Sequence, residues 1–267
     1  MPLKNLILVC IGFAVMSLLL TGISGAAIDP GTIEAVWLFD DGAGGIVKDS
    51  SGNNRHGDIQ GGAKWTNDGK YGGALELDGG DDEVVITGYK GIGGNDPRTT
   101  LIWYRTTQPG DHRLVCWGAN VNTNKYHTRL HDANTLRVET QGGQLFANEP
   151  DLADGEWHHL AIVLPPGSTM CHDHLLYVDG VQITNTGGND IGLDTDITTH
   201  DVEIGYDQWI GHGNPANGTI DEVAIISDDL SENDIINIMN NGLANSLLAV
   251  EPAGKLAITW GGVKVEY

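Results

Sequence analysis

Apolar residues recur at every second position through most of this chain, in short runs bounded by Gly, Asn or Asp. A chain patterned this way has no continuous stripe to lay along a helix. It buries one face of each run only as antiparallel strands. The clearest runs are 33–39, 73–77, 83–86, 100–106, 113–117, 136–140, 156–163, 175–178, 202–204 and 219–226. Asp179-Gly180, set between Leu-Tyr-Val and Val-Gln-Ile, predicts a two-residue hairpin, since both residue types tolerate positive φ. One helix is expected over 232–240. Ser231 caps it, Ile235, Ile236, Ile238 and Met239 form its apolar stripe, and Gly242 ends it. No repeat or low-complexity linker divides the chain. The expected fold is all-β, a two-sheet antiparallel jelly-roll sandwich with one short C-terminal helix.

Charge narrows the partners. Fourteen Lys and Arg stand against 36 Asp and Glu, a formal net charge of −22 over 267 residues. A polyanion would be repelled, so no nucleic-acid partner is expected, and divalent cations or neutral polymers suit the chain better.

At the N-terminus, Lys4 precedes an apolar run from Leu6 to Leu20 and then Gly22-Ile23-Ser24-Gly25-Ala26-Ala27. The run is short for a membrane span, and Ser24-x-Ala26 or Gly25-x-Ala27 supplies a signal-peptidase site. Residues 1–27 therefore read as a signal peptide, 28–243 as the sandwich and 244–267 as a tail of underived role. The mature protein is expected to be secreted or held at the cell surface, with no membrane span. Cys10 leaves with the signal. Cys116 and Cys171 remain, either bridged or buried as separate thiols.

Six motifs carry a family resemblance: Trp37-Leu38-Phe39-Asp40-Asp41-Gly42, Asp49-Ser50-Ser51-Gly52-Asn53-Asn54, Gly69-Lys70-Tyr71-Gly72-Gly73-Ala74-Leu75, Gly155-x-Trp157-His158-His159, Leu176-Tyr177-Val178-Asp179-Gly180 and Gly218-x-Ile220-Asp221-Glu222-Val223. In this order they resemble the landmarks of laminin-G-like domains of the concanavalin A-like lectin/glucanase group. The resemblance implies a calcium-stabilised jelly roll that binds carbohydrate or protein and performs no chemistry.

Calcium takes six to eight oxygens, many from flexible loops. The 49–57 turn offers Asp49, Asn53, Asn54 and the backbone at Gly57, and Asp221 is the best second carboxylate; the resemblance supports the same pairing. Otherwise Asp49 closes an Asx-turn and Asp221 makes a surface ion pair. The acidic run 78–83 reads as a solvated hairpin tip. His172-Asp173-His174 spaces two imidazoles on one face of a strand but lacks a third ligand, and one of His158 and His159 is expected to pack inward. Retaining glucanases of this architecture alternate acids along one strand. Here Glu76-Leu77-Asp78 begins such a pattern, then runs into Gly79-Gly80. No Gly-x-Ser-x-Gly elbow is present, so the chain is not expected to be an enzyme.

Sugar sites on sandwich modules stack a ring on an aromatic and fix hydroxyls with Asp, Asn or Arg. Trp209 is the first candidate platform, with Tyr206, Asp207 and Asn214 around it, and Tyr126 is a second. Trp37, Trp103 and Trp157 read as core. The expected partner is an extracellular polysaccharide or glycoprotein. The alternative is a surface protein, with the domain as an adhesion or assembly module.

Overall fold

The computed structural model describes residues 28–132, 134–206 and 214–248. The signal segment therefore lies outside the described residues, as does the tail from 249 onward. In chain order the strands are β1 (Ile33–Trp37), β2 (Ile46–Val47), β3 (Gly57–Gln60), β4 (Lys64–Thr66), β5 (Ala74–Asp78), β6 (Glu83–Ile86), β7 (Arg98–Arg105), β8 (His112–Gly118), β9 (Lys125–Leu130), β10 (Leu136–Thr140), β11 (Gly143–Ala147), β12 (His158–Leu164), β13 (Leu175–Val178), β14 (Val181–Ile183), β15 (Thr186–Asn189), β16 (Val202–Ile204) and β17 (Asn217–Ile226). All pairings are antiparallel. The smaller sheet has eight strands in the order β14-β13-β12-β7-β17-β5-β4, with β1 added on β17; the larger has nine, ordered β15-β11-β10-β9-β8-β16-β6-β3-β2. This is the expected jelly-roll sandwich.

The core between the sheets holds Trp37, Trp117, Tyr104, Tyr126, Phe39 and the inward aliphatic residues of both sheets. A second apolar layer lies on the far side of the smaller sheet. Ser231 caps α1 (Glu232–Asn241) by accepting from the amide of Asp234, whose carboxylate answers the Ser231 amide. Gly242 then turns the chain, at φ 79°, into α2 (Leu243–Leu247). Ile235, Ile238, Leu243 and Leu247 pack on Val36, Leu101, Ala161 and Ala224. Each such side chain contributes about 1.5–3 kcal/mol. The packed unit thus runs past the expected boundary at 243, because Leu247 belongs to this layer.

The Asp179-Gly180 hairpin forms as expected, with φ of 49° and 78°. One open alternative is resolved and two expectations are corrected. Cys116 and Cys171 are separate buried thiols with no disulfide between them. Cys116 lies in the outer row of the larger sheet opposite His127, whereas Cys171 belongs to the core between the sheets, so the sheet separates them. Tyr126 is no surface platform: it is fully buried, its ring 4.1 Å from that of Trp117 and its hydroxyl 3.0 Å from Thr100 Oγ1. His172 and His174 sit on a 3-10 turn rather than a strand. His172 donates its Nε2–H to the Gln144 carbonyl, and buried His174 donates its Nδ1–H to the Cys171 carbonyl.

Gly57 keeps β3 against β6, where a Cβ would lie 2.3 Å from Val84 Cγ1. Gly57→Ala should destabilise by about 1–3 kcal/mol through overpacking. Ser231→Ala should lose about 1 kcal/mol with the cap. Urea unfolding checks both.

Candidate functional site

The Asp49 turn is built, but as a closed hydrogen-bond knot. Asp49 Oδ1 accepts from the amides of Val36 (3.0 Å) and Ser51 (2.9 Å), and Oδ2 from the Arg55 amide (2.9 Å) and the Ser51 hydroxyl (2.9 Å). Burial alone would push this carboxyl up, yet the donors outweigh it and hold the pKa below the usual value. Asn53 Nδ2 is spent on the carbonyls of Ile33 and Glu34, and Asn54 takes a left-handed turn position at φ 59°. With its carboxylate saturated by protein donors, this turn does not fit a cation. Asp49 takes the Asx-turn role.

Asp221 is set differently. Along one edge, β17 pairs with β5 through residues 217–220 and with β1 through residues 223–226. The partner changes at Asp221 and Glu222, and on the other edge the register against β7 slips between Asp221 and Ala224. The result is a bulge with Glu222 at φ 45°, a left-handed backbone that costs about 1–3 kcal/mol for a residue with a side chain. Both carboxylates are buried here, at 0% and 4% exposure. Asp221 Oδ2 accepts the Tyr71 amide at 2.9 Å, while Oδ1 has no donor. Glu222 Oε2 accepts the Leu243 amide at 2.6 Å. Asp40, at the end of the segment leaving β1, accepts the Gly73 amide at 2.7 Å. Tyr71 closes the joint by donating its hydroxyl to the Met239 carbonyl at 2.6 Å.

Burial, with the charges of Glu222 and Asp40 nearby, pushes Asp221 up to about 8 against the bond from the Tyr71 amide. Burial and Asp40 push Glu222 up to about 7 despite the Leu243 amide. Among the described residues no three His, Cys, Asp or Glu side chains converge closely enough to hold an ion by themselves.

The second assembly lies on the outer face of the larger sheet. Register aligns Phe146, Arg137, Arg129 and Arg113 across β11, β10, β9 and β8. Arg129 grips Asp111, with Nε 2.5 Å from Oδ1, and its Nη1 lies 2.6 Å from Glu139 Oε2. Arg137 Nη2 and Lys125 Nζ also bond Glu139. Burial raises the Glu139 carboxyl, but these three cations outweigh it and hold it at about 2. Phe146 stacks on His131 at 4.3 Å with ring planes 15° apart, half-buried at the end of the row. At the other end the Asn214 carbonyl accepts the Arg113 amide at 3.0 Å, and Asn214 itself is exposed at φ 65°. Tyr206, half-buried, follows Gly205, whose amide bonds the Leu114 carbonyl. The segment carrying Asp207 and Trp209 thus leaves and returns beside this arginine row; both residues lie outside the described ones. Sequence reading missed the row because Lys125, His127 and Arg129 make β9 look like a polar loop. The signal was their alternation with Tyr126, Thr128 and Leu130.

Without bound metal, the folded chain holds protons on Asp221 and Glu222 that the unfolded chain releases above about pH 4. Their contribution to stability is therefore complete at low pH and lost as pH rises through about 7 and 8. In chelator, Asp221→Asn should flatten that decline and melt higher than the parent at pH 8, as thermal scans across pH will show.

The concanavalin A-like lectin/glucanases superfamily model of laminin-G type matches residues 78–236, more than half of the chain. No curated protein matches the sequence. Among solved structures, domain 4 of AbnA, a GH43 extracellular arabinanase from Geobacillus stearothermophilus crystallised with arabinotriose, is similar at a TM-score of 0.57 and 22% identity over 78% of this chain and 98% of that one. The binding domain of Paraclostridial Mosquitocidal Protein 1 is similar at a TM-score of 0.58 and 16% identity, covering 79% of this chain and 52% of that one. The binding domain of Botulinum Neurotoxin DC, in complex with SialylT, gives 0.53 and 13%, covering 79% and 51%. This chain thus spans about half the length of the two toxin domains, and at these identities the likeness is one of fold. With the family match covering most of the sandwich, the chain belongs to the concanavalin A-like lectin/glucanase superfamily, in its laminin-G branch.

Proposed function

We propose that this chain is an exported, calcium-stabilised, non-catalytic module that binds extracellular carbohydrate on the outer face of its larger sheet. The observation that carries the reading is the register row of Phe146, Arg137, Arg129 and Arg113. Arg137, half-buried and locked by Glu139, presents a fixed guanidinium to hydroxyls, with Arg129 and Arg113 buried behind it, and Phe146, held by His131, offers a ring face beside it. That combination of rigid planar donors with an aromatic is what sugar recognition uses. Asn214, which follows the segment carrying Asp207 and Trp209, stands at the opposite end of the row. Two structural neighbours support the class, one solved with arabinotriose and one with SialylT.

Calcium moves from the Asp49 turn to the β17 joint. Asp221 Oδ1 is buried without a donor, and Glu222 and Asp40 add carboxylates in an otherwise uncompensated acidic site. A hard dication would relieve that repulsion, with main-chain carbonyls and water as its remaining ligands. The ion would hold the joint together rather than act on substrate. Asp221 and Glu222 are sealed away, which supports a module without catalysis. The apolar run and small-residue site before Ile28 support export.

The mature protein run over immobilised polysaccharides should be retained on at least one. Phe146→Ala or Arg137→Ala should weaken retention about tenfold or more, and Trp209→Ala should weaken it as well. Retention on none overturns the carbohydrate reading. Calcium should raise the melting temperature, most at pH 8, and Asp221→Asn should abolish that rise; an unchanged melt removes calcium from the joint.

A further inference from the structure

The smaller sheet also has an outer face, and α1 and α2 cover only part of it. Beyond the helices, register aligns Lys64, Glu76, Thr219 and Arg105 across β4, β5, β17 and β7. The row continues to Trp157, over whose half-buried ring the Arg105 guanidinium lies at 4.7 Å. Two recesses of about 250 and about 190 Å³ open along this row and share Asn217, Gly218 and Thr219, so they form one trough crossing the start of β17. None of these residues belongs to the arginine row or to the carboxylate joint.

The floor of the trough is fixed. Arg105 Nη2 bonds Asp68 Oδ2 at 2.8 Å, which together with the Trp157 ring holds the guanidinium plane in place. Thr106 Oγ1 donates to the Asn217 carbonyl at 2.6 Å, and Asn217 Nδ2 to the Asp78 carbonyl at 3.0 Å. Its cations are each offset. Arg105 is matched by Asp68, and Lys64 stands directly opposite Glu76. The carboxylates of Asp78 and Asp82 are occupied by the amides of Gly80, of Gly62 and of Asp78 itself. A polyanion is repelled by these acids and by a chain of net charge −22. What the row does offer is a donor, an acceptor, a hydroxyl, a second donor and an aromatic edge, on successive strands about 4.8 Å apart.

We propose that this trough is a second binding site, separate from the larger-sheet face, and that its occupant is an uncharged saccharide chain lying across β4, β5, β17, β7 and the start of β12. Hydroxyls pair alternately with Lys64, Glu76, Thr219 and Arg105, and a ring packs at the Trp157 end. The carbohydrate reading of the other sheet supplies no part of this assignment, so the two stand or fall separately. Occupied together, the sites make one chain a cross-link between two glycans.

The test follows the Trp157 indole and Arg105 guanidinium NMR signals, with those of Arg129 and Arg137 as reporters of the other face. The folded protein is titrated with neutral hexasaccharides of xylose, mannose, arabinose and β-linked glucose, and with oligogalacturonate as a charged control. At least one neutral chain should shift the Trp157 and Arg105 signals. Trp157→Ala and Glu76→Ala should each weaken that binding about tenfold, with melting temperatures unchanged, while Arg137→Ala leaves it intact. Shifts confined to Arg129 and Arg137 overturn the second site and leave the first standing. Shifts at Trp157 with oligogalacturonate alone overturn the uncharged occupant. No shift at either face with any probe removes both sites.

Discussion

Everything near the acidic joint depends on one strand having to satisfy two partners along one edge. β17 is longer than either β5 or β1, so its ladder is handed from one to the other, and at the handover two residues have no strand beside them on that edge. Side chains and loop amides fill the gap. Tyr71, Gly73 and Leu243 supply the amides, and Asp221, Asp40 and Glu222 supply the acceptors. The bulge and the positive φ of Glu222 follow from the same handover, as does the burial of two carboxylates with a single charge sign. An isolated buried charge is costly, so such a joint either keeps its protons or takes a cation. The segments it ties, after β1, before β5 and after α1, are far apart in sequence, and the joint is where the chain's beginning and end are fastened to its middle.

The two outer faces show how a sandwich separates stability from recognition. The core between the sheets is apolar and filled, with Trp37 and Trp117 among its largest members. One outer face is partly sealed by α1 and α2, the other carries charge. Lys125, Arg129, Arg137, Asp111 and Glu139 balance to within one charge and hold one another, so the groups that would meet a ligand are already ordered before it arrives. In a chain whose net charge is −22, that local balance has to be constructed by register. Residues 129 and 137 are opposite only because β9 and β10 pair as they do.

Strands whose inward positions are aliphatic were legible from period two alone: β6, β10, β13 and β16 have the bounds the alternation predicts. β9 was not, because Lys125, His127 and Arg129 on its outer face mask the alternation of Tyr126, Thr128 and Leu130. The helix was legible through its cap, and α2 was hidden behind Gly242. Asp221 was visible as a carboxylate of interest, since its motif and strand position set it apart. Its neighbours were not, because Tyr71 and Asp40 reach it only through the partner change on β17, a property of sheet order that no local pattern carries. Asp49 misled for the opposite reason: the residues suited to holding an ion in a tight turn are also those that satisfy a turn's own amides.

The unbridged thiols have a consequence for where such a domain can work. Cys171 sits in the core beside Thr140, and burial pushes its thiol up to about 11, so little thiolate is present to react; Cys116 is on the far side of the sheet. Among the described residues no disulfide contributes to the fold. Its stability comes from packing, ladders and the acidic joint, none of which an oxidant builds or a reductant removes. The described sandwich therefore needs no disulfide-forming machinery and is the same in aerated and in anoxic surroundings. What its stability answers to instead is the proton balance of the acidic joint, where Asp221 and Glu222 are pushed up to about 8 and about 7.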